Sequence, residues 1–151
     1  MMPEYSFRPA TPADAPAIRA LVLEAYAKWV PVMGREPMPM SADYDLAVQK
    51  HRFRLAYLGD ELAGLIETDT QPDHIWIENI AVRPDRQAKG LGSVLLRAVE
   101  DEARALGLPE LRLLTNAALE SNIRLYQNFG FRLHRREPFR GGFTVYMSKR
   151  I

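Results

Sequence analysis

The sequence predicts a mixed α+β fold, a single sheet with helices on both faces. Three observations carry the prediction. Short β-rich runs recur along the chain, and two of them fold back at the glycine turns Gly59-Asp60 and Gly141-Gly142. Two runs with helical spacing, Leu91 to Leu106 and about Glu120 to Phe129, connect strands. The order is strand, helix, helix, three strands, helix, strand, helix, two strands, with hairpins around helix-connected strands.

Each element has a local cause. Tyr5 to Arg8 alternates and reads as a short strand. Thr11-Pro12-Ala13-Asp14 is a helix start, with Thr as cap, Pro in the first turn and Asp favoured by the dipole. Ile18, Leu21, Val22 and Ala25 then give one apolar face to about Trp29. Pro31, Gly34, Pro37 and Pro39 argue against regular structure, and Ser41 is expected to cap a second helix through about Gln49. His51 to Leu58 and Glu61 to Asp69 form a hairpin, and Gln71-Pro72-Asp73 turns into a third strand, His74 to Val82. Val94, Leu95, Ala98, Val99, Glu102 and Leu106 keep helical spacing until Gly107 and Pro109. Leu111 to Thr115 is a buried-type strand, the next helix ends at Gly130, and Phe131 to Glu137 and Phe143 to Lys149 are the last strands.

At 151 residues, 47% apolar and 26% charged, the chain reads as one domain, residues 1–151, with a full core. It has no cysteine, so disulfides and thiolate chemistry are excluded. His51, His74 and His134 are far apart and show no ligand spacing, so no metal is expected. A net charge of +1 is too small for a nucleic-acid-binding domain. No apolar run approaches the length of a membrane span and the N-terminus lacks a signal pattern, so a cytoplasmic protein is expected.

The segment most informative about function is Gln87-Ala-Lys-Gly-Leu-Gly92, between the β-rich run Ile75 to Val82 and the long helix. A strand that feeds a glycine turn and then a helix aims several backbone N–H groups and the helix dipole at one point, which makes an anion site suited to phosphate. The chain has no Gly-x-x-x-x-Gly-Lys-Ser/Thr string. Gly90 and Gly92 match the first two glycines of a dinucleotide turn, but Leu95 stands at the third.

The pattern Gln/Arg-x-x-Gly-x-Gly/Ala after a strand fits Gln87, Gly90 and Gly92, and here the chain resembles the GNAT superfamily of N-acetyltransferases. Glu78 to Pro84 resembles that family's fourth strand and its exit, and Asn122 to Phe131 its second hallmark segment. The resemblance implies a GNAT-like fold, with a mostly antiparallel twisted sheet of about seven strands and about four helices. It also implies acetyl-coenzyme A as cofactor. Gln87, Ala88, Lys89, Gly90, Leu91, Gly92 and Ser93 would hold the phosphates, largely through main chain. Ile80, Ala81 and Val82, in a strand splayed from the next, would meet the pantetheine arm and supply the oxyanion N–H, and Asn122 would bind the arm or position its helix.

Acetyl transfer to an amine needs a neutral nucleophile, a stabilised carbonyl oxygen and a proton for the departing thiolate. The resemblance implies that Tyr126 is the general acid. A tyrosine near pKa 10 and a thiol near 8.5 differ by about 2 kcal/mol, so hydrogen bonding to the developing thiolate is favoured over early protonation. Glu78 is the candidate base: on a regular strand it shares a face with Trp76, Ile80 and Val82, and a carboxylate beside apolar side chains suits base work through a water. The fifth strand offers Leu113, Leu114 and Thr115 and no carboxylate.

Tyr26, Trp29, Met33, Met38, Met40 and Tyr44 would wall the acceptor pocket or fold back on the core. Arg132, Arg135, Arg136 and Arg140 read as a solvated hairpin face. The expected acceptor is the primary amine of a small molecule. The alternatives are a protein N-terminus or lysine, a noncatalytic acyl-coenzyme A sensor, and a partner-binding domain without cofactor. An edge strand at Phe143 to Lys149 would permit a homodimer. Gly92→Glu is expected to abolish coenzyme A binding, measured by calorimetric titration of the folded variant.

Overall fold

The computed structural model describes residues 3–151. Strands β1 (Ser6–Pro9), β2 (Arg52–Leu58), β3 (Glu61–Thr70), β4 (Ile75–Val82), β5 (Glu110–Asn116), β6 (Arg132–Phe139) and β7 (Gly142–Arg150) form one sheet in the order β1-β2-β3-β4-β5-β7-β6. Every neighbouring pair is antiparallel except β4 and β5. The parallel pair needs a crossover, and α4 (Leu91–Leu106) supplies it. The helices α1 (Ala15–Tyr26), α2 (Val30–Met33), α3 (Tyr44–Lys50) and α5 (Glu120–Phe129) complete the fold.

Two apolar clusters hold the layers together. On one face Leu95, Leu96 and Val99 of α4 and Tyr126 of α5 pack on Ile75, Ile77 and Leu111. On the other, Ile18 and Val22 of α1 and Tyr44 of α3 pack on Phe53, Leu55 and Leu65. Each fully buried aliphatic side chain contributes about 2 kcal/mol, so these faces decide which way the helices dock. Glu100 on α4 adds a polar tie. It is buried beneath the sheet side, where it accepts from Arg104 and from Lys149 of β7. Burial pushes its carboxyl up, but the hydrogen bonds from the two cations outweigh this and leave it below the ordinary value.

The structure departs from the sequence expectations at three places. The proline-rich stretch contains a helical turn, α2, because Pro31 occupies its first turn, where a missing N–H costs nothing. The cap of α3 is Asp43, whose side chain accepts from the Leu46 N–H at 3.2 Å, whereas Ser41 donates to the Met38 carbonyl. Phe143 to Lys149 is not an edge: β7 lies between β5 and β6, and the edges are β1 and β6. The basic side chains near the last hairpin stack on aromatic rings, Arg135 at 4.1 Å from the Tyr146 ring centre and Arg136 at 4.4 Å from that of Phe143.

Gly64 of β3 sets where α4 begins. A Cβ there would lie 2.8 Å from Cδ2 of the fully buried Leu91 and 3.2 Å from the Ala81 carbonyl oxygen. Gly64→Ala is therefore expected to destabilise the fold by about 1–3 kcal/mol. A lowered melting temperature checks this, and an unchanged one shows that Leu91 yields without strain.

Candidate active site

Strand β4 pairs with β5 only at Ile75, Ile77 and the Trp76 between them. Beyond Ile77 the two strands part, and two local features prepare the opening. Thr68 pairs with Ile77 and Glu67 with Asn79, so Glu78 is the extra residue of a β-bulge. Further along, the Arg83 N–H donates to the Ala63 carbonyl at 2.8 Å. Alternation along an antiparallel ladder then turns the Ala81 N–H toward β3 and the N–H and C=O groups of Ile80 and Val82 toward the gap.

The two carbonyls in the gap are satisfied. The single Tyr26 hydroxyl proton is shared between Asn79 Oδ1, at 2.8 Å, and the Ile80 oxygen, at 3.1 Å. Gln87 Nε2 donates to the Val82 oxygen at 2.9 Å, while Gln87 Oε1 accepts from Lys28. Gln87 thus ties the glycine turn to the end of β4 by its side chain. The N–H groups of Ile80 and Val82 are the main-chain donors left facing the opening.

The turn itself is a cradle of amides. Ala88 has φ 60 and Gly90 φ 93, both left-handed, and Gly90 is the N-cap of α4. Ala88 carries strain that glycine would not, as residues in anion-binding turns often do. The amides of Leu91, Gly92 and Ser93 open α4 and have no intrahelical acceptor. Gly92 and Ser93 border a cleft of about 450 Å3 between the ends of α1 and β4 and the starts of α4 and α5. Lys28, Arg86 and Arg124 stand around it, and Arg86 Nε is buried without a hydrogen-bond partner among the described residues. A diphosphate fits this donor set, with the free amides at the start of α4, an orphaned guanidinium nitrogen and two more cations. None of the three cations stands out in the sequence, because they come from three separate elements.

A second cleft, about 570 Å3, lies on the far side of the gap and shares Tyr26 and Ile80 with the first. Tyr126 faces it, one helical turn after Asn122, which faces the other cleft. Gly130 ends α5 with φ 109, and the Phe131 N–H closes on the Tyr126 carbonyl at 2.9 Å, which fixes the last turn and the tyrosine's direction. Tyr126 is buried, and burial alone pushes its hydroxyl above the ordinary tyrosine value. Met33, Met38 and Tyr44 line this cleft, whereas Met40 is in the core beneath and Trp29 borders the first cleft.

The sequence matches the Acetyltransferase (GNAT) family over residues 17–131. The chain belongs to this family. It is 31% identical to the S-(2-succino)cysteine N-acetyltransferase of Bacillus subtilis, over 100% of this chain and 98% of that one. It is 38% identical over 72 residues to the ribosomal protein bS18-alanine N-acetyltransferase of Salmonella typhimurium, a match covering 48% of this chain and 49% of that protein. That full-length match apart, the chain spans about half the length of the curated relatives it matches. Among solved structures, the fold resembles the PaiA N-acetyltransferase from Thermoplasma acidophilum in complex with coenzyme A, with TM-score 0.79 and 18% identity over 98% of this chain and 99% of that one. As a GNAT member the protein is an acetyltransferase, and acetyl-coenzyme A is its co-substrate.

The first cleft gathers most of the residues expected from the sequence to meet the cofactor. Ile80, Ala81, Val82, Gln87, Ala88, Gly90, Gly92, Ser93 and Asn122 all border the cationic cleft. Leu91 does not line the cleft, its side chain being buried in the core, and the Lys89 side chain is exposed outside the cleft wall. The predicted face of Glu78 is corrected. The bulge breaks its alignment with Ile80 and Val82: Ile80 packs in the α4-side cluster, while Glu78 is exposed along the second cleft. The buried carboxylate of that cleft is Glu67 of β3, which periodicity could not single out.

Gly92 borders the cationic cleft, and a Cβ there would also lie 2.9 Å from Cδ2 of Leu125, so α4 and α5 meet closely at this position. Gly92→Ala, which adds no charge, is accordingly expected to weaken coenzyme A binding by shifting α5. Titration calorimetry beside a melting curve reads both effects, and unchanged affinity would return the explanation to charge alone.

Proposed function

We propose that this acetyltransferase passes the acetyl group directly to the primary amine of a small molecule, in a ternary complex. One observation carries the reading: two clefts of opposite character meet at Tyr26 and Ile80, beside unpaired main-chain N–H groups. The first is ringed by cations. The second has the carboxylates Asp43, Glu67 and Glu78 on its wall, with Arg35 and Lys50 as its cations. Carboxylates suit an ammonium acceptor, and about 570 Å3 lies within the range of small-molecule sites. With no cysteine, there is no thiol on the chain to carry an acetyl group.

Acetyl-coenzyme A, when bound, supplies an activated thioester. The residues of the chain do the rest. The cradle of Leu91, Gly92 and Ser93 amides, with Lys28, Arg86 and Arg124, holds the diphosphate. The Ile80 and Val82 N–H groups donate to the carbonyl oxygen as negative charge grows on it. Asn122 steadies the pantetheine arm from α5. Tyr126 donates to the departing sulfur. Its raised pKa widens the mismatch with a thiol, so the hydroxyl acts by hydrogen bonding and leaves complete proton transfer to a late stage. A protein N-terminal amine is the second reading, favoured by the bS18-alanine relative; the volume of the second cleft, about 570 Å3, suits the smaller acceptor.

Thiol release from acetyl-coenzyme A, followed over a panel of small primary amines and N-terminal peptides, tests the proposal. Small amines should outrun peptides in kcat/KM. Tyr126→Phe should lower kcat by about a hundredfold with coenzyme A affinity unchanged. Full kcat in Tyr126→Phe would remove the tyrosine from the scheme, and a preference for peptides would replace the acceptor class.

A further inference from the structure

The acceptor cleft holds a carboxylate that the scheme above leaves unused. Glu67 is 4% exposed, yet it lines the cleft with Asn79, Ile80 and Tyr126. Its Oε2 lies 2.6 Å from Nδ1 of His51, and His51 Nε2 lies 3.9 Å from Asp69 Oδ2. A carboxylate removed from water to this degree is costly in a core, and its contacts with His51 and Asn79 do not offset the whole cost. Its place in the sheet explains why it faces the chemistry. Glu67 pairs with Asn79, the residue before Ile80, because the Glu78 bulge brings Asn79 into register. Without the bulge the pairing would move by one residue and the carboxylate would face a different partner.

We infer that Glu67, oriented by His51, takes the proton from the acceptor's ammonium group, and that Glu78 does not. This rests on the acetyl-transfer reading above. One N–H bond of the ammonium breaks and an O–H bond forms on Glu67. The neutral amine forms its C–N bond at the thioester carbon as the C–S bond breaks. The second proton leaves nitrogen with the sulfur, through the Tyr126 side of the cleft, and Glu67 returns its own proton to solvent. His51 is a positioning residue in this scheme, acting through its contact with Glu67.

The electrostatics agree with the geometry. Burial pushes the Glu67 carboxyl above its ordinary value, the His51 hydrogen bond and charge pull it partly back, and Glu78 adds to the upward push. The other titratable groups around it are Tyr44 of α3, Tyr26 of α1 and Asp69 on its own strand, with Asp43, Lys50 and Arg35 further along the cleft. A carboxylate raised above its usual range is a stronger base than a free one.

The experiment is the pH dependence of kcat, which is insensitive to ionisation of the free amine, measured on the whole chain with acetyl-coenzyme A and the best amine of the panel. Activity requires ionised Glu67, so it should fall as pH drops through a midpoint above the ordinary glutamate value of about 4.3. Glu67→Gln should lose about a hundredfold in kcat together with this acidic limb, and keep the KM for acetyl-coenzyme A. Glu67→Asp should keep the limb at reduced kcat. His51→Ala removes a group that holds the carboxyl down, so its limb should move to higher pH; this and the Asp variant decide the matter if a melting curve shows Glu67→Gln unfolded. Glu78→Gln should leave the limb in place. An unaltered limb in folded Glu67→Gln, or its loss in Glu78→Gln, overturns the assignment while leaving acetyl transfer intact. A wild-type chain that binds coenzyme A but releases no thiol with any amine removes the transfer reading and this inference together.

Discussion

The parting of β4 from β5 after Ile77 is the constraint on which the site depends. A strand inside a sheet must satisfy its main-chain groups on both sides, and buried groups without partners cost about 1–3 kcal/mol each. On the β3 side the ladder does this in the usual way. On the open side two side chains take the place of a strand, Tyr26 at the Ile80 carbonyl and Gln87 at the Val82 carbonyl. Both satisfy acceptors, and what stays unpaired is a pair of donors. Donors are what an acyl carbonyl and an amide-rich arm require. The opening is therefore a polarised gap whose exposed main chain is donor-rich.

The packing around the gap is tuned to hold it. The start of α4 is seated by Leu91 against Gly64, and α5 is brought close to it over Gly92. At the far end of α4, the Glu100 ion cluster ties the helix to β7, across the parallel junction from β4. Tyr126 is aimed by the closing turn of α5 at Gly130. Each of these contacts lies outside the two clefts or at their border. Together they determine the distance between the amide cradle and the tyrosine, and that distance is what aligns a bound thioester.

Charge divides the site into halves. Cations from the turn after α1, the exit of β4 and α5 converge on the cradle, although the chain as a whole carries only +1. Across the gap, carboxylates converge on the acceptor side. The two tyrosines at the junction, Tyr26 and Tyr126, are both held neutral by burial, so no charge of the chain's own sits between the halves. In the proposed reaction, an anionic donor and a cationic acceptor would each be drawn to their own side before they meet.

Much of this was legible in the sequence. The long helices were readable because Leu95, Leu96 and Val99 repeat at helical spacing and Gly107 and Gly130 stop them. The cradle was readable because a turn of this kind needs residues at fixed local offsets, and Gln87, Gly90 and Gly92 are neighbours in the chain. Local order could not show sheet neighbours. The hairpin strand Gly142–Arg150 inserts beside β5, so the strand expected at the edge is internal. Nor could it show the bulge at Glu78, which arises from pairing with β3 and reassigns every later side chain of β4. The His51–Glu67 contact and the three cations of the first cleft unite residues from distant segments. Local chemistry is written in short spacings and is decided by the sequence alone; which carboxylate is buried, and which amide is left unpaired, depends on register between strands, and only the folded chain sets that.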